Sequence, residues 1–290
     1  MTLVDAAIAP FADYAFMRRA LVACMALAIG SGPVGVLLML RRMSLMGDAM
    51  SHAVLPGAAL GFIAAGLSLW GMTMGGIAAG LVVAVVAGAV SRNTLLREDA
   101  SLAGFYLASL ALGVLLVSTH GNSLDLLHIL FGTILAVDDP ALLLVGGIAS
   151  VSTLVLAAIY RPLVMECCDP AFLRSVGGRG GLHHLIFLVL VVLNLVAGFQ
   201  ALGTLMAVGL MMLPALSARF WAREVASMAG VAIGVGFVSG YLGLLISYHY
   251  RAPSGPAIVL VAAAAYGLSI VFGRYGGLLP GVVRRRHFHH

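Results

Sequence analysis

Residues 43–57 read MSLMGDAMSHAVLPG, and apolar residues run on from there for another dozen positions. Asp48 and His52 stand four apart, so on a helix both project from one face into one volume. A lone ionisable side chain in hydrocarbon costs a few kcal/mol on insertion scales, and such residues face a water-filled path or a partner. Carboxylate oxygen together with imidazole nitrogen suits a borderline divalent ion such as zinc, manganese or iron. Pro56 cannot donate to the carbonyl of His52, which weakens or kinks the helix and frees that oxygen beside the two side chains. Two structural readings stay open at this point. The pair can bond each other or a neighbouring helix and simply hold a bundle together, or Asp48 can sit at a membrane interface close to Arg41 and Arg42.

The rest of the chain says what kind of helix this is. Of 290 residues 62% are hydrophobic and only 9% charged, against about 25% charged in a soluble domain. This is the composition of an all-α integral membrane protein. A crossing helix needs about 20 mainly apolar residues, and candidate spans fall at 20–40, 49–68, 72–91, 101–118, 141–160, 184–201, 203–218, 226–247 and 256–273. The spans at 184–201 and 203–218 are short and nearly continuous, with Gly203, Gly209 and Pro214 pointing to broken or tilted helices, so the expectation is eight or nine crossings in a single transmembrane domain, 1–290. The first 15 residues carry Asp5 and Asp13 and no basic residue, unlike a cleaved leader, so the first span is expected to be retained.

All 16 basic residues are arginine. With the N-terminus outside and the C-terminus in the cytoplasm, 13 of them lie on the cytoplasmic side and only Arg18, Arg19 and Arg251 outside, as the positive-inside rule requires. Arg18 and Arg19 are then expected in a short interfacial segment. The charge of +5 is explained by topology and gives no reason to invoke nucleic acid. A chain without lysine also lacks the phosphate-binding lysine of a P-loop motor, so it is not itself an ATPase of that kind.

Of 11 acidic residues, Asp48 is the one that an apolar span carries inward; the others fall in loops or at span ends. The outer connection 118–140 holds His120, Asp125, His128, Asp138 and Asp139, which fit either an entrance that attracts cations or a solvated loop. The inner connection 161–181, RPLVMECCDPAFLRSVGGRGG, fits a short amphipathic helix docked on a cytoplasmic partner, or a solvated loop. Cys24, Cys167 and Cys168 make no metal spacing, and the adjacent pair reads as small loop residues. His183 and His184 open a span on the inner side, and the terminal RRRHFHH supports no argument. Neither a nucleophile elbow nor a His-Glu-x-x-His motif occurs, so nothing marks the chain as an enzyme.

The segment RRMSLMGDAMSHAVLPGAALGF at 41–62 resembles the most characteristic stretch of the permease subunits of zinc/manganese/iron-type ABC importers. The resemblance continues through DLLHILFGTILAV at 125–137, DPAFLRSVG at 169–177, GTLMAVGLMMLPALSARF at 203–220 and APSGPAIVL at 252–260, in the family's order and spacing. It implies a type II importer-like bundle in the bacterial cytoplasmic membrane, a permease homodimer joined to two copies of a separate ATPase and an extracytoplasmic metal-binding protein. It implies Asp48 and His52 as the pathway's metal ligands, with two such pairs near the dimer axis. It also makes 161–181 the coupling loop, where Asp169, Phe172 and Gly177 fit the family pattern. The family's version of GLMMLP is more aliphatic; Met211 and Met212 read as packing.

The function expected from this is import of a divalent ion as substrate, zinc first, then manganese or iron, by alternating access, with no permanently bound cofactor. The alternatives are a permease for metal chelates such as siderophores or cobalamin, a proton-coupled secondary transporter with Asp48–His52 as relay, and an intramembrane hydrolase.

Overall fold

A chain this apolar can satisfy its backbone in lipid only through helices or a closed barrel, and the computed structural model describes residues 3–66, 68–96, 98–120, 137–168 and 180–279 as helices and their connections, with no strand among them. The helices are α1 (Leu3–Asp13), α2 (Ala15–Leu40), α3 (Met46–Ala53), α4 (Leu55–Ala65), α5 (Leu69–Asn93), α6 (Glu98–His120), α7 (Asp139–Cys168), α8 (Gly180–Leu202), α9 (Thr204–Ala218), α10 (Val225–Tyr250) and α11 (Ser254–Phe272). Counting α3 and α4 as one broken pass, eight are long and apolar enough to cross a membrane. α9, at 15 residues, is shorter. It nonetheless runs between the two faces, because its far end is tied to the end of α11: Trp221 Nε1 donates to Ser269 Oγ at 2.9 Å and the Tyr275 amide to the Phe220 carbonyl at 2.9 Å. The expected break between the sixth and seventh spans falls at Gly203, whose φ of 88° is a conformation that side chains with a Cβ avoid.

α2 and α8 form the axis of the bundle, with 67% and 72% of their apolar windows buried, while α6, α7 and α11 form a ring in which 22–28% is buried. Small residues make the axis possible. A Cβ at Gly30 would fall 2.6 Å from Asn194 Oδ1 of α8 and 2.9 Å from the Ala149 backbone of α7. Asn194 is 2% exposed, and its amide donates to Ser152 Oγ and the Leu190 carbonyl, both at 2.8 Å. In lipid, where helices gain nothing by hiding apolar surface from one another, such close approach and buried hydrogen bonding carry association. The α4–α5 hairpin uses the same device, with Gly57 and Gly61 set directly on Gly75 and Gly71 so that a Cβ at any of the four would clash with the opposite helix.

The ends of the helices sort by charge. Arg41 after α2 reaches Glu166 in the last turn of α7 and His184 in the first turns of α8. At the other face Arg19 near the start of α2 pairs with Asp139 at the start of α7, 2.9 Å apart. So α2 and α7 run parallel and α8 returns between them, in the alternation that the arginine distribution demanded.

Three expectations change. Arg18 and Arg19 lie within α2, which starts at Ala15, and not in a separate interfacial segment; Arg18 Nη1 donates to the Ala12 carbonyl at 2.8 Å and so closes α1 onto α2. α1 itself was not anticipated; it is held by Phe11 stacked on Tyr241 and by the Tyr241 hydroxyl donating to the Ala7 carbonyl. The inner connection begins at 169 and not at 161, because α7 continues through Pro162 to bury Leu163 completely in the core and ends only at Cys168. Glu166 and Cys167, expected in a loop, are helical.

Gly75→Ala should destabilise the detergent-solubilised protein by about 1–3 kcal/mol through overpacking, read as a lowered thermal midpoint. Gly147→Ala, where an added Cβ meets open space, should be neutral or stabilise by up to about 1 kcal/mol.

Candidate functional site

The quoted stretch forms α3 and the start of α4. Proline is well placed in a first helical turn, where no amide donor is needed, and Pro56 takes that position in α4 while α3 stops at Ala53. The break falls at Val54, whose amide closes back onto the carbonyls of α3. One carbonyl at the break is answered from outside: Ser109 Oγ of α6 donates to Ala53 at 3.0 Å. The sequence foretold the interruption but placed the freed oxygen on His52; the oxygen that a neighbouring helix serves is its neighbour's.

Gly47 lets α3 lie against α9, since a Cβ there would meet Met211 Cε at 2.7 Å. Met211 and Met212 are 0% and 7% exposed and act as packing. With Met46 and Met50 buried beneath it, α3 turns its other face outward and carries Asp48 and His52 there. His52 Nε2 lies 3.8 Å from Asp48 Oδ1, too long for a hydrogen bond. Nδ1 of His52 is buried with no hydrogen-bond partner among the described residues, and its ring stacks on Tyr106 of α6 with centroids 6.2 Å apart. An ion about 2.1 Å from each donor would hold them about 3.4 Å apart in tetrahedral geometry. The pair is therefore a few tenths of an ångström from a two-point chelate.

A cleft of about 150 Å³ opens beside Asp48 between α3 and α6, floored by Leu102 and Tyr106 and containing a second carboxylate, Asp99. The acid map of the sequence had set Asp99 aside as a span-end residue. Its place in the first turn of α6 suits the helix dipole, and only the packing of α6 on α3 brings it to this cleft. One chain does not complete a metal site: among the described residues no three His, Cys, Asp or Glu side chains gather closely enough to hold an ion. Asp48 is also strongly outward, its side chain 64% exposed and His52's 36%. Beside them Leu45 is 78% exposed, so the pair belongs to a largely apolar outer surface.

The remaining sequence candidates are dispersed. Asp138 caps α7, accepting from the Ala141 amide at 2.9 Å, and Asp139 is the partner of Arg19. His120 is the last residue of α6. Asp125 and His128, like Asp169, Phe172 and Gly177, lie outside the described residues, as does the terminal RRRHFHH. His184 accepts from Arg41 Nη1, and Cys167 Sγ from Arg41 Nε.

Comparison with known proteins places this arrangement. The model of the ABC 3 transport family matches residues 13–273. The chain is 36% identical over 257 residues to the manganese import system permease protein ScaB of Streptococcus parasanguinis, covering 89% of this chain and 90% of that protein. It is 33% identical over 268 residues to the manganese transport system membrane protein MntC of Halalkalibacterium halodurans, covering 92% and 90%. Among solved structures, PsaBC from Streptococcus pneumoniae in complex with Fab superposes with a TM-score of 0.84 at 32% identity, over 94% of this chain and 98% of that one.

Ser109→Ala should leave the buried Ala53 carbonyl unserved and cost about 1–3 kcal/mol of stability. The check is the thermal midpoint of the purified chain, which substitution of an exposed serine on the outside of the bundle, such as Ser150→Ala, should leave in place.

Proposed function

The chain belongs to the ABC 3 transport family, and on that premise we propose that it is the permease of an ATP-driven manganese importer, with Asp48 and His52 as the ion's way-station in the membrane. Membership makes it the membrane-spanning subunit of a metal importer, working with ATPase and substrate-binding partners; the metal is cargo and not a resident cofactor. The observation that carries the site is the pair itself: a carboxylate on an outward face with the Nε2 of an imidazole 3.8 Å away, the buried Nδ1 of that ring having no hydrogen-bond partner among the described residues.

Manganese displaces zinc as the expected ion. The relatives just described are named as manganese permeases, and a site offering carboxylate oxygen, with a second carboxylate in the adjoining cleft, suits a harder ion than a thiolate or all-imidazole set would. Iron is the next reading on the same donor chemistry.

The exposure of Asp48 bears on assembly. On a lipid-facing surface a charged side chain costs free energy, up to about 2.5–3.5 kcal/mol at a helix centre on insertion scales, and Asp48 stands in the first turn of its span. A second copy of the chain, packed over α3 and the cleft, removes that cost by enclosing a water-lined path and doubles the donors to two Asp48–His52 pairs. The segment 169–179, with Asp169, Phe172 and Gly177, is assigned to the ATPase contact by the family resemblance, and both helices that lead into it end on the arginine-rich face. ATP turnover at that face then rocks the helices so that the pair opens first outward and afterwards inward. Binding at the pair has to be weak for the ion to leave again; tight capture belongs to the extracytoplasmic partner.

In proteoliposomes holding the full transporter, uptake of manganese should exceed that of zinc and iron. Asp48→Asn and His52→Ala should each lower manganese uptake about 10-fold or more. Wild-type uptake by both variants would overturn the site. Uptake by this chain alone, driven by a pH gradient, would overturn the ATP-driven reading in favour of proton coupling.

A further inference from the structure

Arg41 follows α2 directly, and its side chain is only 8% exposed. Every nitrogen of its guanidinium is engaged. Nη2 pairs with Glu166 Oε2 at 3.0 Å, Nε donates to Cys167 Sγ at 3.2 Å, and Nη1 meets His184 Nδ1 at 2.6 Å. A guanidinium can only donate, so Nδ1 accepts and the ring proton of His184 sits on Nε2. The face of the guanidinium lies over Phe187, itself wholly buried, 4.8 Å from the ring centroid. One side chain thus binds the last turn of α7 and the first two turns of α8, the two helices that bracket 169–179.

What lies on the other side of Arg41 gives this knot its meaning. Arg42 has φ of 59°, a left-handed conformation uncommon for a residue with a side chain. It is held by its amide bonding the Met39 carbonyl while the Met43 amide reaches back to Leu38. This tight turn aims the chain into α3, and Asp48 is only seven residues beyond Arg41. Met43 and Met46 are buried at 7% and 2% exposure, so the connection between turn and helix is packed and not slack. A displacement of the α7 and α8 ends must therefore either carry the Arg41–Arg42 turn with it or break a buried, charge-assisted set of contacts.

We propose that Arg41 is the coupling residue of this permease: its guanidinium ties the ends of α7 and α8 to the turn that positions Asp48 and His52. Arg41 touches neither ion nor nucleotide and acts by positioning. The inference rests on the proposed function, since it takes the α7–α8 ends as the place where the ATPase pushes. Lysine cannot replace the residue, because a point charge on a flexible stem satisfies neither the three-way fork nor the stacking on Phe187.

The test measures manganese uptake and ATP hydrolysis in the same proteoliposomes, for the assembled transporter carrying wild-type permease, Arg41→Lys or Glu166→Gln. The ratio of ions moved to ATP hydrolysed should fall about fivefold or more in Arg41→Lys and by a smaller factor in Glu166→Gln, which keeps an acceptor oxygen but loses the charge. If Arg41→Lys does not assemble, the ratio in the isosteric Glu166→Gln decides. A merely structural role would lower the amount of transporter and leave the ratio of what remains unchanged, so ratios within twofold of wild type overturn the coupling role alone. Absence of ATP-dependent manganese uptake in the wild-type sample would overturn the proposed function and the coupling role with it.

Discussion

A carboxylate and an imidazole on the outer surface of an apolar helix set the terms for everything else in this protein. Asp48 is 64% exposed in the single chain, and Leu45, which lines the same cleft, is 78% exposed. Neither lipid nor a dry helix contact accommodates it cheaply. A covered, hydrated position for this face is what the proposed second copy of the chain would supply. α3 can present the pair because Gly47, Met211 and Met212 hold its other face against α9.

The architecture divides the labour. α2 and α8 approach closely at Gly30, and the Asn194–Ser152 bond ties α8 to α7, giving a stiff axis. The outer helices are less buried. α3 follows the turn at Arg41 and Arg42 and also packs against α5, α6, α8 and α9, so the short helix with the metal-type ligands is joined to the bundle both through the charged knot and through its own packing.

Much of this was legible in the residues. Hydropathy located every crossing helix, and arginine placement gave the alternation that the Arg41–Glu166 and Arg19–Asp139 pairs display. Spacing put Asp48 and His52 on one face, and Pro56 announced a break within two residues of where it falls. What was not legible depended on contacts between distant segments. Nothing local signals that Asp99 joins the Asp48 cleft, since α6 is brought there by packing on α3. Pro162 reads as a helix end until the burial of Leu163 shows what continuing the helix gains. Glu166 and His184 look like loop and interface residues until Arg41 is placed between them. The choice of ion was not written in the donor pair either, because one oxygen and one nitrogen serve zinc, manganese and iron alike.

The central claim is that the ion passes through direct contact with the Asp48–His52 pair. Pulsed electron paramagnetic resonance of Mn²⁺ bound to the assembled permease tests it most directly, because a coordinated imidazole nitrogen modulates the echo. The account predicts that nitrogen coupling is present in the wild-type protein and lost in His52→Ala. The same coupling persisting in His52→Ala would contradict it.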